Sequence, residues 1–535
     1  MFPRLITRYG LATHLALLAS LPFVLFPFMS AEKLAQVVLC LSGIAGLWLL
    51  VEPSMRAGEH LSIARRRVIR AILHDVVFWF FLFVAIVAFI RYLNSDIALK
   101  YVDGEWLVNP SSMPSLPASV GKAGFLPFAV VVGMAVLLQG IRHGIGLTGR
   151  ISFGLTASFI MGVGGLVMAG LACARAPVFM CAAKADLLEG PFWGPFIGPG
   201  FGAWLIFALA FGAHAESRKW GAARIPFCLA VAGNASGLLF FSPPVVVTAF
   251  LVLALVFAVF CMVFLARSGS MGSVARNLVL AVLGFAVPLF LMSALLPDEI
   301  ELEARISAKD TGVVPLTEPA ANIFAAKGGG FLNLDKEVVE AYKKRSAILS
   351  GVAKGIWKKH PWYGAGVGSF VLHAPFFLTR DESRAFQDKK RDWRAKMLAW
   401  QLGEGGANRK PSAFDLRPRN RDPNCALNSY WTFLAEHGML GVALAAIGLG
   451  LLLASFFGRL VSAVLFLRQQ DDADIVVFAS PPITWVTPFA LLLVFAVAYF
   501  APILSVTPMW LAIVVPIAIA AASFPKKPEA NINLR

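Results

Sequence analysis

The ionisable side chains best placed for chemistry lie in the C-terminal half of the chain. Glu436 and His437 stand side by side at the head of an apolar run, and His360 and His373 bracket a Gly-rich turn. An imidazole changes charge near neutral pH, so His437 or His373 could take a proton from a hydroxyl group. Glu436 is the carboxylate alternative. An ionisable pair at a membrane border is a functional hypothesis by default; an interfacial His and Glu without a chemical role is the competing reading. His360 also reads as a helix end favoured by the helix dipole, and His373 as a lone surface His. The sequence holds no Walker loop, no Cys–His metal set and no Ser–His–Asp order, so it calls for no metal and no cofactor.

Composition says what must position these residues. Of 535 residues 58% are hydrophobic and 15% charged, whereas a soluble domain is nearer one quarter charged. A helix crossing a bilayer needs about 20 mostly apolar residues. Twelve runs qualify: 11–29, 34–51, 71–93, 123–140, 152–173, 199–214, 223–241, 244–266, 276–297, 438–466, 484–504 and 507–524. The fold expected is an all-α polytopic membrane protein of about 12 transmembrane helices. The first run follows Arg4 and Arg8, as a signal peptide would, but eleven further runs favour an uncleaved helix.

Lys and Arg set the orientation. Arg56, Arg65, Arg66, Arg67 and Arg70 follow the second run, and Arg142 and Arg150 the fourth. Arg218, Lys219 and Arg224 follow the sixth, Arg267 and Arg276 the eighth, and Lys526 and Lys527 the last. With twelve spans all of these share one side, which puts both termini in the cytoplasm and segments 94–122, 174–198 and 298–437 outside it. The net charge of +16 thus belongs to short membrane loops and calls for no nucleic acid partner. Three parts follow: membrane helices over 1–297, a large outer loop over 298–437, and three helices with a cytoplasmic tail over 438–535.

The smaller features read as follows. Segment 94–122, with Trp106, Pro110, Pro114 and Pro117, reads as irregular. Cys173 and Cys181 could form a short-range disulfide on an oxidising face, or remain two free thiols. Cys40, Cys228 and Cys261 fall in apolar runs and read as small buried side chains. His74 and Asp75 read as structural groups facing a neighbouring helix. In the large loop, Asp335–Lys359 carries Val338, Tyr342, Ile348, Leu349, Val352 and Ile356 at helical spacing. Pro361 stops that helix inside His360–Phe370 (HPWYGAGVGSF), where Gly residues allow tight turns. Arg380–Arg421 holds eight Arg and four Lys, either a surface that steers anions or a solvated loop. Asn424 or Asp422 can cap the helix that follows.

HPWYGAGVGSF followed by NSYWTFLAEHGMLG at a membrane helix resembles the O-antigen ligase and O-antigen polymerase superfamily. The matching positions are Pro361, Gly364, Gly366 and Gly368, then Asn428, Glu436, Gly438 and Gly441. The resemblance implies a metal-independent glycosyltransferase in the bacterial inner membrane. Its partners would be an undecaprenyl-diphosphate-linked glycan, membrane lipid, and a lipid A–core or growing glycan acceptor. Asn428 is a motif position taken as substrate-binding, and Arg345 lies where the family often has Arg, so it reads either as diphosphate-binding or as a solvated residue beside Lys343 and Lys344. Arg305 and Arg380 are the further candidate cations, and His437, Glu436 or His373 the candidate catalytic groups. Two positions depart from the family. Cys425-Ala426-Leu427-Asn428 stands where ligases carry His-x-His-Asn, and Phe241-Ser242-Pro243-Pro244 where they carry Ser-Arg. Other groups must then serve, or the protein binds the lipid-linked glycan without reacting. A transporter is the reading from another class; it would show two repeated halves, and the large loop breaks any such symmetry.

Overall fold

The computed structural model describes residues 10–26, 29–51, 60–102, 105–145, 147–181, 194–217, 224–241, 244–267, 336–377, 428–469 and 508–523, with scattered positions in 272–286 and 495–499. Among these residues the protein is mostly helical. The first part holds α1 (Gly10–Leu25), α2 (Ala31–Val51), α3 (Leu61–Leu73) and α4 (Val76–Leu93). A hairpin of β1 (Ala98–Val102) and β2 (Glu105–Asn109) follows. Then come α5 (Phe125–Gln139), α6 (Leu147–Cys181), α7 (Gly194–Ser217), α8 (Arg224–Phe241) and α9 (Pro244–Arg267). The last part holds α10 (Lys336–Lys359), α11 (Ser429–Gln469) and α12 (Met509–Ser523).

Among the described residues five segments are long and apolar enough to cross a membrane: Ala31–Val51, Val76–Leu93, Gly121–Gly144, Gly149–Gly170 and Ser429–Gly458. Most of the expected apolar runs coincide with helices; the runs 276–297 and 484–504 lie almost wholly outside the described residues. The core is aliphatic and aromatic, with Leu15, Phe23, Phe153, Trp204 and Phe257 fully enclosed. Outward-facing Leu47, Trp79, Phe83, Leu255 and Val256 remain exposed, as lipid-facing side chains would. α6 and α8 approach closely at Gly162 and Gly233: a β-carbon on Gly162 would lie 2.7 Å from Ala230 Cα, and one on Gly233 would overlap the Gly162 backbone. Small residues at such crossings let backbones pack within a membrane.

The structure corrects several expectations. The run 71–93 is two helices, because His74 ends α3 and Asp75 caps α4 by accepting from Val77 N–H at 3.0 Å. Asp75 Oδ2 also meets Arg142 Nη1 at 3.2 Å and His143 Nε2 at 3.1 Å. Burial alone would raise the Asp75 carboxyl; the His143 hydrogen bond, the Arg142 charge and the Val77 N–H outweigh it and hold it below its ordinary value. Arg142 and His143 sit on a π-helical turn, Gly140–Gly144, that closes α5. Asp75 therefore faces a neighbouring helix as expected, whereas His74 is exposed.

Segment 94–122 is not irregular throughout: it holds one short hairpin beside the helices. β1 and β2 pair antiparallel, with Tyr101 opposite Trp106 and Val102 opposite Glu105. α6 has 35 residues and carries both Cys173 and Cys181. The side chains of both lie outside the described residues. Cys40 is exposed and Cys228 half-buried; of these three thiols only Cys261 is buried. The cap of α11 is neither Asn424 nor Asp422, both outside the described residues. Asn428 Oδ1 caps it, accepting from Tyr430 N–H at 3.0 Å and Trp431 N–H at 3.4 Å.

Candidate functional site

Proline ends α10, and glycines make the turn that follows. Gly364, Gly366 and Gly368 have φ of +73°, +101° and +75°, a region that L side chains avoid and glycine enters freely. The turn is held from two sides by backbone bonds. On one side Ala365 N–H donates to Ala435 O at 2.8 Å and Gly366 N–H to Glu436 O at 3.2 Å. On the other, Val367 N–H donates to Ala118 O at 3.1 Å and Val120 N–H to Val367 O at 3.0 Å. α11 answers with Met439 N–H to Pro361 O at 2.9 Å and Leu440 N–H to Trp362 O at 3.0 Å. This requires Gly438 to leave helical geometry, at φ 62° and ψ −167°. The two sequence motifs thus form one clasp at the end of α4.

The clasp sets three ionisable groups together. Arg91, near the end of α4, is only 7% exposed. Its Nη1 bonds His437 Nδ1, and its Nη2 donates to His437 O at 3.4 Å. A guanidinium can only donate, so Nδ1 accepts and the neutral imidazole carries its proton on Nε2. The His437 ring stacks on Phe433 with centroids 4.3 Å apart, and a β-carbon on Gly441 would collide with the His437 side chain. The Glu436 carboxylate accepts from Gly368 N–H and Phe370 N–H and feels the Arg91 charge. Ser119 Oγ donates to Arg91 O at 2.9 Å and fixes the end of α4. Arg91 Nε has no hydrogen-bond partner among the described residues.

A second pair lies at the far side of the turn. The rings of His360 and His373 are 5.4 Å apart. Burial, then the neighbouring His360 and Lys359, pushes His373 down to about 4. Burial and Lys359 also lower His360. Below them Leu349, Val352, Ala353, Ile356, Ala365, Phe370, Ala374 and Ala435 form a small separate core. That core binds α10, the turn and α11 into one unit.

The candidate residues therefore divide. Glu436, His437 and the turn glycines converge, with Gly438 and Gly441 packing against them. His373 joins His360 beside the clasp. Asn428 is 5% exposed and its side chain serves the cap of α11. Arg345 lies on α10, with its side chain outside the described residues; Arg305 and Arg380 lie outside them altogether. The cation that does reach the pair is Arg91, which sequence reasoning passed over. Its signal was available: it is the one charged residue in Val76–Leu93, and an ionisable group inside a membrane helix marks a candidate site. The arrangement brings a buried guanidinium, a carboxyl group and a neutral imidazole together at one helix end. No protein-family model and no curated protein matches the chain.

Proposed function

We propose that this protein is a polytopic glycosyltransferase resembling the O-antigen ligases and polymerases. It would move glycan from an undecaprenyl-diphosphate carrier at the periplasmic face of the bacterial inner membrane. In this reading twelve helices span the membrane, both termini are cytoplasmic, and segment 298–437 faces outward. The acceptor is a lipid A–core or a growing glycan. The supporting observation is the clasp: the two motif segments close on one another and on Arg91, so a cation, a carboxylate and an imidazole meet where a carrier headgroup would lie.

The chemistry asks little more. The acceptor hydroxyl attacks the anomeric carbon, the bond from that carbon to the diphosphate oxygen breaks, and the diphosphate leaves with the electron pair. Arg91, with Arg345 the further candidate, meets the developing charge, since guanidinium binds phosphate oxygens in bidentate fashion. Glu436 or His437 Nδ1, once released from Arg91, receives the hydroxyl proton. A charge-assisted hydrogen bond contributes about 1.5–3 kcal/mol, so losing Arg91 weakens donor binding by about ten- to a hundredfold.

One observation favours a second reading, a non-catalytic binder of the same glycan lipid. His437 Nδ1 is engaged by Arg91, and Glu436 is satisfied by two backbone N–H groups. Gene deletion with complementation separates the two. The expected result is accumulated lipid-linked glycan in the deletion, rescued by wild type but not by expressed Arg91→Ala, Glu436→Gln or His437→Ala. Rescue by all three variants favours the binder. An unchanged lipid-linked pool and unchanged surface polysaccharide in the deletion defeat both.

A further inference from the structure

α3 is too short to span a bilayer: its 13 residues reach about 20 Å against a hydrocarbon core of about 30 Å. Yet it connects α2 and α4, both long and apolar enough to cross, so it lies where those helices meet the membrane surface. It is pinned there at both ends. Arg65 Nη2 donates to Val51 O, the last residue of α2, at 3.3 Å. Trp79 Nε1, from the first turn of α4, donates to Leu73 O at 2.8 Å. Trp79 is 52% exposed, and a half-exposed Trp is characteristic of the membrane–water boundary.

The faces of α3 are distinct. Only Ala64 and Val68, four apart, are buried against the protein. Ile69 and Leu73, also four apart, are 42% and 50% exposed. Arg66 and Arg70 form the next strip, about 60° further round the helix, and both are exposed. No acidic residue occurs anywhere in Leu61–Leu73. An apolar strip beside a cationic strip, on a helix pinned at a membrane boundary, matches acyl chains beside negatively charged headgroups.

We infer that the Arg66–Arg70 strip of α3, with Ile69 and Leu73 beside it, is a docking surface for anionic phospholipid. Charge complementarity selects the occupant. A basic strip with no carboxylate attracts phosphatidylglycerol-type headgroups, while the apolar strip anchors the acyl chains and excludes a purely soluble anion. The inference rests on the membrane helices and not on glycan transfer, so its failure and that of the proposed function are separately visible.

The test titrates phosphatidylglycerol onto the full-length protein in neutral detergent and reads the affinity of the first bound lipid by native mass spectrometry. Arg66→Gln/Arg70→Gln, which preserves helix propensity, is expected to weaken that affinity by about thirtyfold, roughly fivefold for each Arg. Arg66→Lys/Arg70→Lys retains it, because a headgroup surface responds to charge. Lys343→Ser/Lys358→Ser, an equal charge change on α10, leaves it at the wild-type value. Undiminished affinity in the Gln variant overturns the inference. So does an equal loss in the α10 variant, or equal binding of phosphatidylcholine by wild type.

Discussion

Gly438→Ala tests whether the clasp is built on backbone geometry. The residue holds φ 62° and ψ −167°, a region occupied almost only by glycine, where a side chain costs about 1–3 kcal/mol. Space adds to strain, since a β-carbon there would lie 2.6 Å from the Trp362 carbonyl carbon, closer than real β-carbons approach. Taking the upper end, about 3 kcal/mol, opening of the clasp becomes about a hundredfold more frequent. The amides to watch are Met439 and Leu440, which donate to Pro361 O and Trp362 O. Their hydrogen exchange should accelerate by about that factor, with a lower Tm in detergent. Gly450, on the same helix, has nothing within 4 Å of its would-be β-carbon. Gly450→Ala should instead gain up to about 1 kcal/mol from helix propensity. If the Met439 and Leu440 amides exchange at the wild-type rate in Gly438→Ala, the clasp is not held as described.

Three other outcomes are expected, two from the geometry and one from the placement of Lys and Arg along the chain. Asp75→Asn leaves the Arg142 cation buried without its carboxylate and should cost about 3–5 kcal/mol, with most of that recovered in Asp75→Asn/Arg142→Met; thermal melts of the two variants decide it. His373 is depressed in the folded protein to about 4 from 6.5, so the unfolded state binds the extra proton between those values. Stability of the turn should fall as pH drops from 6.5 toward about 4 and then level off, and His373→Gln should flatten that profile, read as hydrogen exchange of the Gly364–Phe377 amides. Finally, Ser412→Cys should react with a membrane-impermeant maleimide in intact spheroplasts; absence of labelling there rules out an outward-facing 298–437 segment.

Legibility in the sequence followed the range of the interactions. Helices stand out because each satisfies its own backbone, so an apolar run of sufficient length declares itself. The stop at Pro361 was visible for the same reason. Two local signals were present but misjudged. Asp75 inside run 71–93 is a helix-capping residue, and Asp103-Gly104 between alternating residues is a hairpin signal; both were outweighed by surrounding hydropathy or proline. Arg91 is a different matter. Its partner His437 is 346 positions away, and nothing near Arg91 indicates which later helix will bring an acceptor. Glu436 was legible as a candidate, but its two N–H donors arise from the fold of the turn, which glycine spacing alone does not specify.

The clasp also fixes how the chain can vary. Phe377 and Trp431 pack against the same small core, so the two described ends of the chain on either side of 378–427 are held at one base. The entropic cost of closing a loop on such a base grows only logarithmically, about 0.6 kcal/mol for each doubling of length. The stability of the base that carries Arg91, Glu436 and His437 should therefore depend only weakly on how many residues separate Phe377 from Asn428.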